Sequence, residues 1–172
     1  MRLIEATDAH FAWMLTGEGT FDGLRLPAGG VDHPAVLNYL RRLAGECGSW
    51  LVVEDGEVAG LCGHKHAPTA AGAVEIGYGI VASRRGQGLA TGAVKAMLGI
   101  AAEDPRIRYM TAETAADNIA SQLVLEKNGF VRTGTRVDPE DGTLILWQSS
   151  PRRPAAYERR VGRTRRHESG SG

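Results

Sequence analysis

The chain has 172 residues, 42% of them hydrophobic, with 20 basic and 20 acidic side chains and no formal net charge. That is the size and apolar content of one ordinary domain with a proper core. No run approaches the roughly 18 apolar residues of a membrane span, and Glu5 interrupts the stretch where a signal peptide needs apolar residues, so a cytoplasmic protein with no membrane partner is expected.

The zero net charge hides a split. Beyond Ser150 seven arginines stand against two glutamates, so residues 151–172 carry +5 and residues 1–150 carry −5. The expected organisation is one domain over residues 1–150 and a basic, arginine-rich C-terminal tail over 151–172. Three readings of the tail stay open: a helical arm, an RNA or ribosome contact, or a solvated, disordered end. Tyr157 is its single aromatic, so base stacking has little support and nucleic acid is not the expected partner. The acidic body suits a cationic amine through long-range attraction.

In chain order, Arg2–Ala6 reads as a short strand, and Thr7 or Asp8 caps a helix through about Leu15. Thr16–His33 is glycine-rich and aperiodic and is expected to be a long loop. Pro34 starts a second helix, whose stripe is Val36, Leu37, Leu40 and Leu43 and whose end is near Gly45. Ser49–Glu54 and Glu57–Lys65 flank Asp55-Gly56, a strong hairpin signal. Val74–Val81 is the next strand, with Gly77 and Gly79 suggesting a bulge or the close approach of another chain or a ligand. Leu89–Ala102 is helical, and Arg106–Thr114 is a strand. Asp117 or Asn118 caps a last helix that Gly129 stops. Phe130–Val137 and Thr143–Gln148 close the body as a hairpin. The strand–helix–strand at 74–114 is expected to be a right-handed parallel crossover in a largely antiparallel sheet.

The turn between strand and helix, Arg84-Arg85-Gly86-Gln87-Gly88-Leu89-Ala90-Thr91, has the layout of a phosphate cradle. A helix N-terminus offers unpaired N–H groups and partial positive charge. Gly86 and Gly88 allow close backbone approach, and Arg84 and Arg85 can add charge-assisted hydrogen bonds. The plain alternative is an ordinary glycine turn. No Gly-Lys-Ser/Thr follows, and Thr91 stands where a dinucleotide fingerprint needs its third glycine.

From Arg85 the residues read Arg-x-x-Gly-x-Ala. This resembles the acyl-CoA pyrophosphate loop of the GNAT superfamily of N-acetyltransferases. Asn118-Ile-Ala-Ser121-Gln-Leu-Val-Leu-Glu126-Lys127-Asn-Gly129-Phe130 resembles the signature of that superfamily's RimJ/RimL-like branch, as does Glu75-Ile-Gly77-Tyr78 before the loop. The resemblance spans the chain up to about Gln148. It implies an α/β (α+β) GNAT fold: a mixed central sheet of about six to seven strands, flanked by about four helices, with two parallel strands splayed at the acyl-CoA site.

The activity implied is transfer of an acetyl group from acetyl-CoA, as co-substrate, to a primary amine on a protein N-terminus or small molecule. The alternative is a GNAT-fold acyl-CoA binder or sensor that does not turn over. Cofactor binding would fall to the N–H groups of Arg85, Gly86, Gln87, Gly88, Leu89 and Ala90 with Thr91, to the main chain of Ile80 and Val81, and to Asn118, which otherwise serves only as a cap.

A neutral amine must attack the thioester. Deprotonating a lysine amine at neutral pH costs about 4.6 kcal/mol, and an α-amine about 1 kcal/mol. A base is therefore expected, and Glu75 is the candidate on the strand leading into the loop; the alternative is an exposed strand-edge carboxylate. Many family members carry a tyrosine donor at the position held here by Leu125. Ser121 is the hydroxyl offered instead as a donor to the sulfur, unless it only packs or bonds back to its helix. Cys47 and Cys62 are expected as thiols and not as a disulfide, with Cys62 in the core. His64 and His66 share a strand face, but with no third ligand in reach they point to the acceptor pocket and no metal is expected. The acceptor, the acyl length and the choice between monomer and homodimer are left open.

Overall fold

The computed structural model describes residues 1–149; the basic segment 151–172 lies outside the described residues. Strand β1 (Arg2–Glu5) leads into helix α1 (Asp8–Thr16). Thr7 caps α1 as expected: its hydroxyl accepts from the His10 N–H, and His10 Nδ1 accepts in return from the Thr7 N–H at 3.1 Å. The box satisfies two donors that the first turn would leave orphaned.

The expected loop 16–33 contains a small hairpin, β2 (Thr20–Phe21) and β3 (Leu24–Arg25), and β3 also pairs in parallel with a later strand at Arg25↔Glu57. Asp22 and Gly23 turn it, both at positive φ (53° and 72°), as a two-residue hairpin turn requires. Strands of two residues are too short to show alternation, so only the Asp-Gly pair could have signalled them.

Helix α2 (Pro34–Cys47) has Pro34 in its first turn and His33 Nδ1 as cap. Then come β4 (Ser49–Glu54), β5 (Glu57–His64) and β6 (Ala73–Ile80), and α3 (Leu89–Glu103) follows a single 3-10 turn at Ala82–Arg84. Strand β7 (Tyr109–Ala115), helix α4 (Ile119–Lys127) and the hairpin of β8 (Val131–Asp138) with β9 (Gly142–Ser149) complete the body.

The sheet runs in the order β1-β4-β5-β6-β7-β9-β8, with β2 and β3 off this path. Among the described residues only β6–β7 and the single β3–β5 bridge are parallel. This is the mixed α/β sheet with four helices that the resemblance implies. Its two faces bury separate cores. Val52, Ala59, Cys62, Val74, Ile76, Met110, Ala112 and Trp147 pack under α3 and α4. Leu51, Val53, Val58 and Leu61 pack under α1 and α2, and no residue of β6 to β9 joins that second core. Among the described residues no helix therefore packs on the α1/α2 face of β6 and β7.

Strands β6 and β7 pair over three rungs only, Ala73↔Tyr109, Val74↔Met110 and Glu75↔Thr111. Beyond Glu75, β6 stays with β5 as far as Ile80, while β7 stays with β9 as far as Ala115. Each arm follows its own antiparallel partner, so the two diverge into a V. The glycines of β6 form no bulge, because its register to β5 is unbroken from Ile76 to Ile80. The close approach occurs at Gly60 on β5, where a Cβ would collide with the Gly79 carbonyl oxygen and lie 3.0 Å from Ile80 Cα.

Candidate active site

The V presents two open backbone edges. On β6, Val81 N–H donates to the Ala59 carbonyl and Lys65 N–H to the Glu75 carbonyl. Hydrogen-bonded pairs alternate along an antiparallel ladder, so Gly77 and Gly79 also turn their main chain toward β5. The main-chain groups of Tyr78, the Ile76 carbonyl and the Ile80 N–H then face the gap, while the Ile76 N–H is taken up by the last rung with Thr111. On the other arm Ala116 N–H donates to Thr143 O, and the same alternation turns the main chain of Glu113 into the gap. Val81 does not offer the free main chain expected of it. Its N–H is spent on Ala59, and its carbonyl accepts from Arg84 N–H at 3.0 Å.

At the wide end the chain enters the glycine loop. Gly86 and Gly88 sit at φ 76° and 78°, where a side chain is disfavoured, and the space that a Cβ on either would enter is open. Gly88 is the N-cap of α3, and no side chain caps that helix. The first-turn N–H groups at Leu89, Ala90 and Thr91 have no intrahelical acceptor. An uncapped first turn of this kind on a fifteen-residue helix can accept an anion. The arginines stand differently from expectation. Arg84 is bound to Glu57, with Nη2 at 2.8 Å and Nε at 2.9 Å from Oε1, and Arg85 Nε folds back on the Ile80 carbonyl at 3.1 Å. Gln87 and the glycines are exposed, and the Thr91 carbonyl accepts from Asn128 Nδ2, tying α3 to the end of α4.

Glu75 stands at the apex of the V, on its last paired rung. Val74 and Ile76 point into the α3 core, so the Glu75 side chain lies on the uncovered face, where Lys65 Nζ reaches Oε1 at 2.5 Å. Thr111 and Glu113 share that face by alternation. Arg136 on β8 forks onto Glu113 (Nε–Oε1 2.9 Å, Nη2–Oε2 2.6 Å) and bonds Asp138 Oδ2 at 2.7 Å. Those hydrogen bonds hold Glu113 below the ordinary carboxylate range and push Asp138 down to about 2. Lys65, Glu113 and Arg136 were missed in the sequence, and only the two-residue period of β7 could have singled out Glu113.

Asn118 Oδ1 accepts from the Ser121 N–H at 3.1 Å and caps α4. The Ser121 carbonyl accepts from the Tyr78 hydroxyl at 3.1 Å, the one hydrogen bond joining β6 to α4 among the described residues. Burial pushes the Tyr78 hydroxyl up to about 12. Leu125 is fully buried in the α3/α4 core. Cys62 lies opposite Tyr78 in the same core, and burial lifts its thiol to about 12, so it is no nucleophile. Both cysteines are free.

The two histidines do not line this face. His64 is buried with its ring 5.2 Å from Trp50 and Nδ1 at the Cys47 carbonyl, beside a cavity of about 270 Å³ that Asp104 and Arg106 also line. His66 Nδ1 pairs with the Ala67 carbonyl. Lys65 between them is the residue that faces Glu75. Among the described residues no group of three or more His, Cys, Asp or Glu side chains could hold a metal, and no helix is long and apolar enough to cross a membrane.

A sheet opened between two parallel strands, running into an uncapped helix N-terminus, is the architecture of an acyl-CoA-dependent acetyltransferase domain. Residues 30–131 match the family model described as acetyltransferase (GNAT) domain, and the chain belongs to that family. It is 32% identical over 85 residues to an uncharacterized N-acetyltransferase, YjdG, of Bacillus subtilis (strain 168). The match covers 48% of this chain and 51% of that protein, so the chain spans about half the length of the curated relative it matches. Among solved structures, it resembles aminoglycoside acetyltransferase AAC(6')-Ib in complex with coenzyme A (TM-score 0.65, 22% identity, 91% of this chain and 96% of that one). RimL, a ribosomal L7/L12 alpha-N-protein acetyltransferase in complex with coenzyme A, is similar in fold at TM-score 0.66 and 20% identity, covering 86% and 92%.

Proposed function

We propose that this chain transfers an acetyl group from acetyl-CoA to a primary amine by direct attack, as a RimJ/RimL-like member of its family. The observation that carries the proposal is the V itself. Its β6 edge offers the main-chain groups of Tyr78, the Ile76 carbonyl and the Ile80 N–H, and the chain runs on from that edge into the uncapped N-terminus of α3. A pantetheine arm, which carries two amides, can bond along such an edge like an added strand while its pyrophosphate sits on the helix N-terminus. Bound there, acetyl-CoA supplies the activated acyl group.

In this reading Gly86, Gln87, Gly88, Leu89, Ala90 and Thr91 cradle the pyrophosphate, with Arg85 released from Ile80 to join them. Ile80 N–H and its neighbours on the open edge polarise the thioester carbonyl. Glu75, at the apex, accepts the proton from the incoming ammonium, directly or through water. The amine nitrogen bonds to the acetyl carbon as the carbon–sulfur bond breaks, the Ser121 hydroxyl hydrogen-bonds the departing thiolate, and the thiolate takes up the second proton that the nitrogen sheds. Asn118 fixes the turn that carries Ser121. The acceptor reaches Glu75 from the uncovered α1/α2 face, bordered by Lys65 and Glu113. Protein N-termini and small-molecule amines both fit this open surface. The solved structures named above act on a ribosomal protein and on aminoglycosides, which supports an amine acceptor here.

Free-thiol release from acetyl-CoA, measured over N-terminal peptides, polyamines, amino acids and aminoglycosides, tests the proposal. Glu75→Gln should keep acetyl-CoA affinity and lose more turnover at neutral pH than at pH 9, where a larger fraction of the amine is already neutral. Equal loss at both pH values removes the base role. A second reading, an acyl-CoA binder without turnover, is favoured by the buried Leu125 in place of the family's tyrosine. Thermal stabilisation by CoA with no thiol release from any amine would select it. Residues 151–172 belong to the proposal as a ribosome contact, expected as salt-sensitive retention on ribosomes that is lost on truncation after Ser150.

A further inference from the structure

We infer that Tyr78 is a positioning residue for Ser121, holding the thiol-facing turn of α4 against the opposite arm of the V. The inference rests on the acetyl-transfer reading and deepens it. Ser121 lies in the first turn of α4, and α4 leaves from the end of β7, the arm that diverges from β6. Tyr78 rises from β6 itself. Its hydroxyl reaches across to the Ser121 carbonyl at 3.1 Å, while Asn118 holds the Ser121 N–H at the same distance. Both main-chain groups of Ser121 are thereby gripped by side chains, one from each arm, which leaves the hydroxyl as the free polar group of that residue. A carbonyl oxygen has two lone pairs, so the bond from Tyr78 adds to the helix's own bond.

The tyrosine ring is half-buried against the α3/α4 core and faces Cys62. Its hydroxyl is pushed up to about 12 by burial, so it stays protonated and donates throughout the neutral range. The hydroxyl has one proton, and that proton is committed to Ser121. Tyr78 therefore acts through Ser121 and not on the sulfur directly. A hydrogen bond of this kind, lost on one side only, corresponds to about a 3- to 10-fold effect.

The test is a double-mutant cycle with Tyr78→Phe and Ser121→Ala, read as kcat, KM for acetyl-CoA and Tm with one accepted amine. Phenylalanine keeps the ring and its packing. Tyr78→Phe alone should lower kcat about 3- to 10-fold with KM for acetyl-CoA and Tm little changed, and should cost nothing further in the Ser121→Ala background. Independent losses that multiply would overturn the inference, as would an unchanged kcat or an effect confined to Tm and KM. Transfer by the wild type with such an outcome leaves the acetyltransferase reading standing; absence of transfer by the wild type with every amine overturns both.

Discussion

Gly60→Ala should close the cofactor gap from behind. The added Cβ would press into the Gly79 carbonyl oxygen and lie 2.9 Å from Ile80 Cδ1 and 3.0 Å from Ile80 Cα. Carbon atoms rest at about 3.5 Å or more, so β6 must retreat by roughly 0.5 Å at Ile80 and farther at the carbonyl. Strand β5 cannot yield, because β4 and β6 hold it on both edges. Beyond Glu75, β6 has only β5 beside it, so the strand moves into the V. Forced overpacking of this kind costs about 1–3 kcal/mol. In a chain of this size each kcal/mol lowers Tm by about 2–4 °C, so the expected fall is about 2–12 °C. Urea unfolding measures the stability loss, and a CoA titration followed by intrinsic fluorescence or calorimetry measures the gap. Weaker CoA binding should accompany the lower stability, because the displaced edge is the one that Ile80 presents. A variant within about 0.5 kcal/mol of wild type and with unaltered CoA affinity would refute the argument.

Two further outcomes follow from the ion-pair face and the α4 cap. Arg136 depresses Asp138 to about 2 and lowers Glu113, so the stability from these contacts is complete above the unfolded carboxylate range near ~4 and is lost as pH falls toward about 2. The stability difference between wild type and Arg136→Gln should thus be level at neutral pH and shrink through that window; a difference that persists in acid would show that Arg136 acts by packing. Asn118→Ala removes the cap of α4 and should cost about 0.5–2 kcal/mol in chemical denaturation. It should also raise KM for acetyl-CoA, and stability loss with an unchanged KM would reduce Asn118 to a cap alone.

The features legible in the sequence are the local ones. The glycine loop announced itself because positive φ at Gly86 and Gly88 and the start of α3 are settled within eight residues. The same holds for the Thr7 and Asn118 caps and for the hairpin at Asp55-Gly56. Strand and helix spans followed from apolar period, since burial on one face imposes that period on the chain. The hairpin at Asp22-Gly23 lay below that threshold, its strands being too short to carry a period.

Tertiary structure decided what depends on partners far apart in the chain. The V exists because β6 is held by β5 and β7 by β9, a consequence of strand order that no single strand contains. Which main-chain groups of Ile80 and Val81 are free follows from ladder alternation, and that alternation spends Val81 on Ala59. The commitment of Arg84 to Glu57, of Lys65 to Glu75 and of Arg136 to Glu113 spans 27, 10 and 23 residues. Charges of opposite sign are plentiful in this chain, so composition leaves many pairings open. Only the register of the sheet brings Lys65, Glu75, Glu113 and Arg136 to one face and sends His64 to the other.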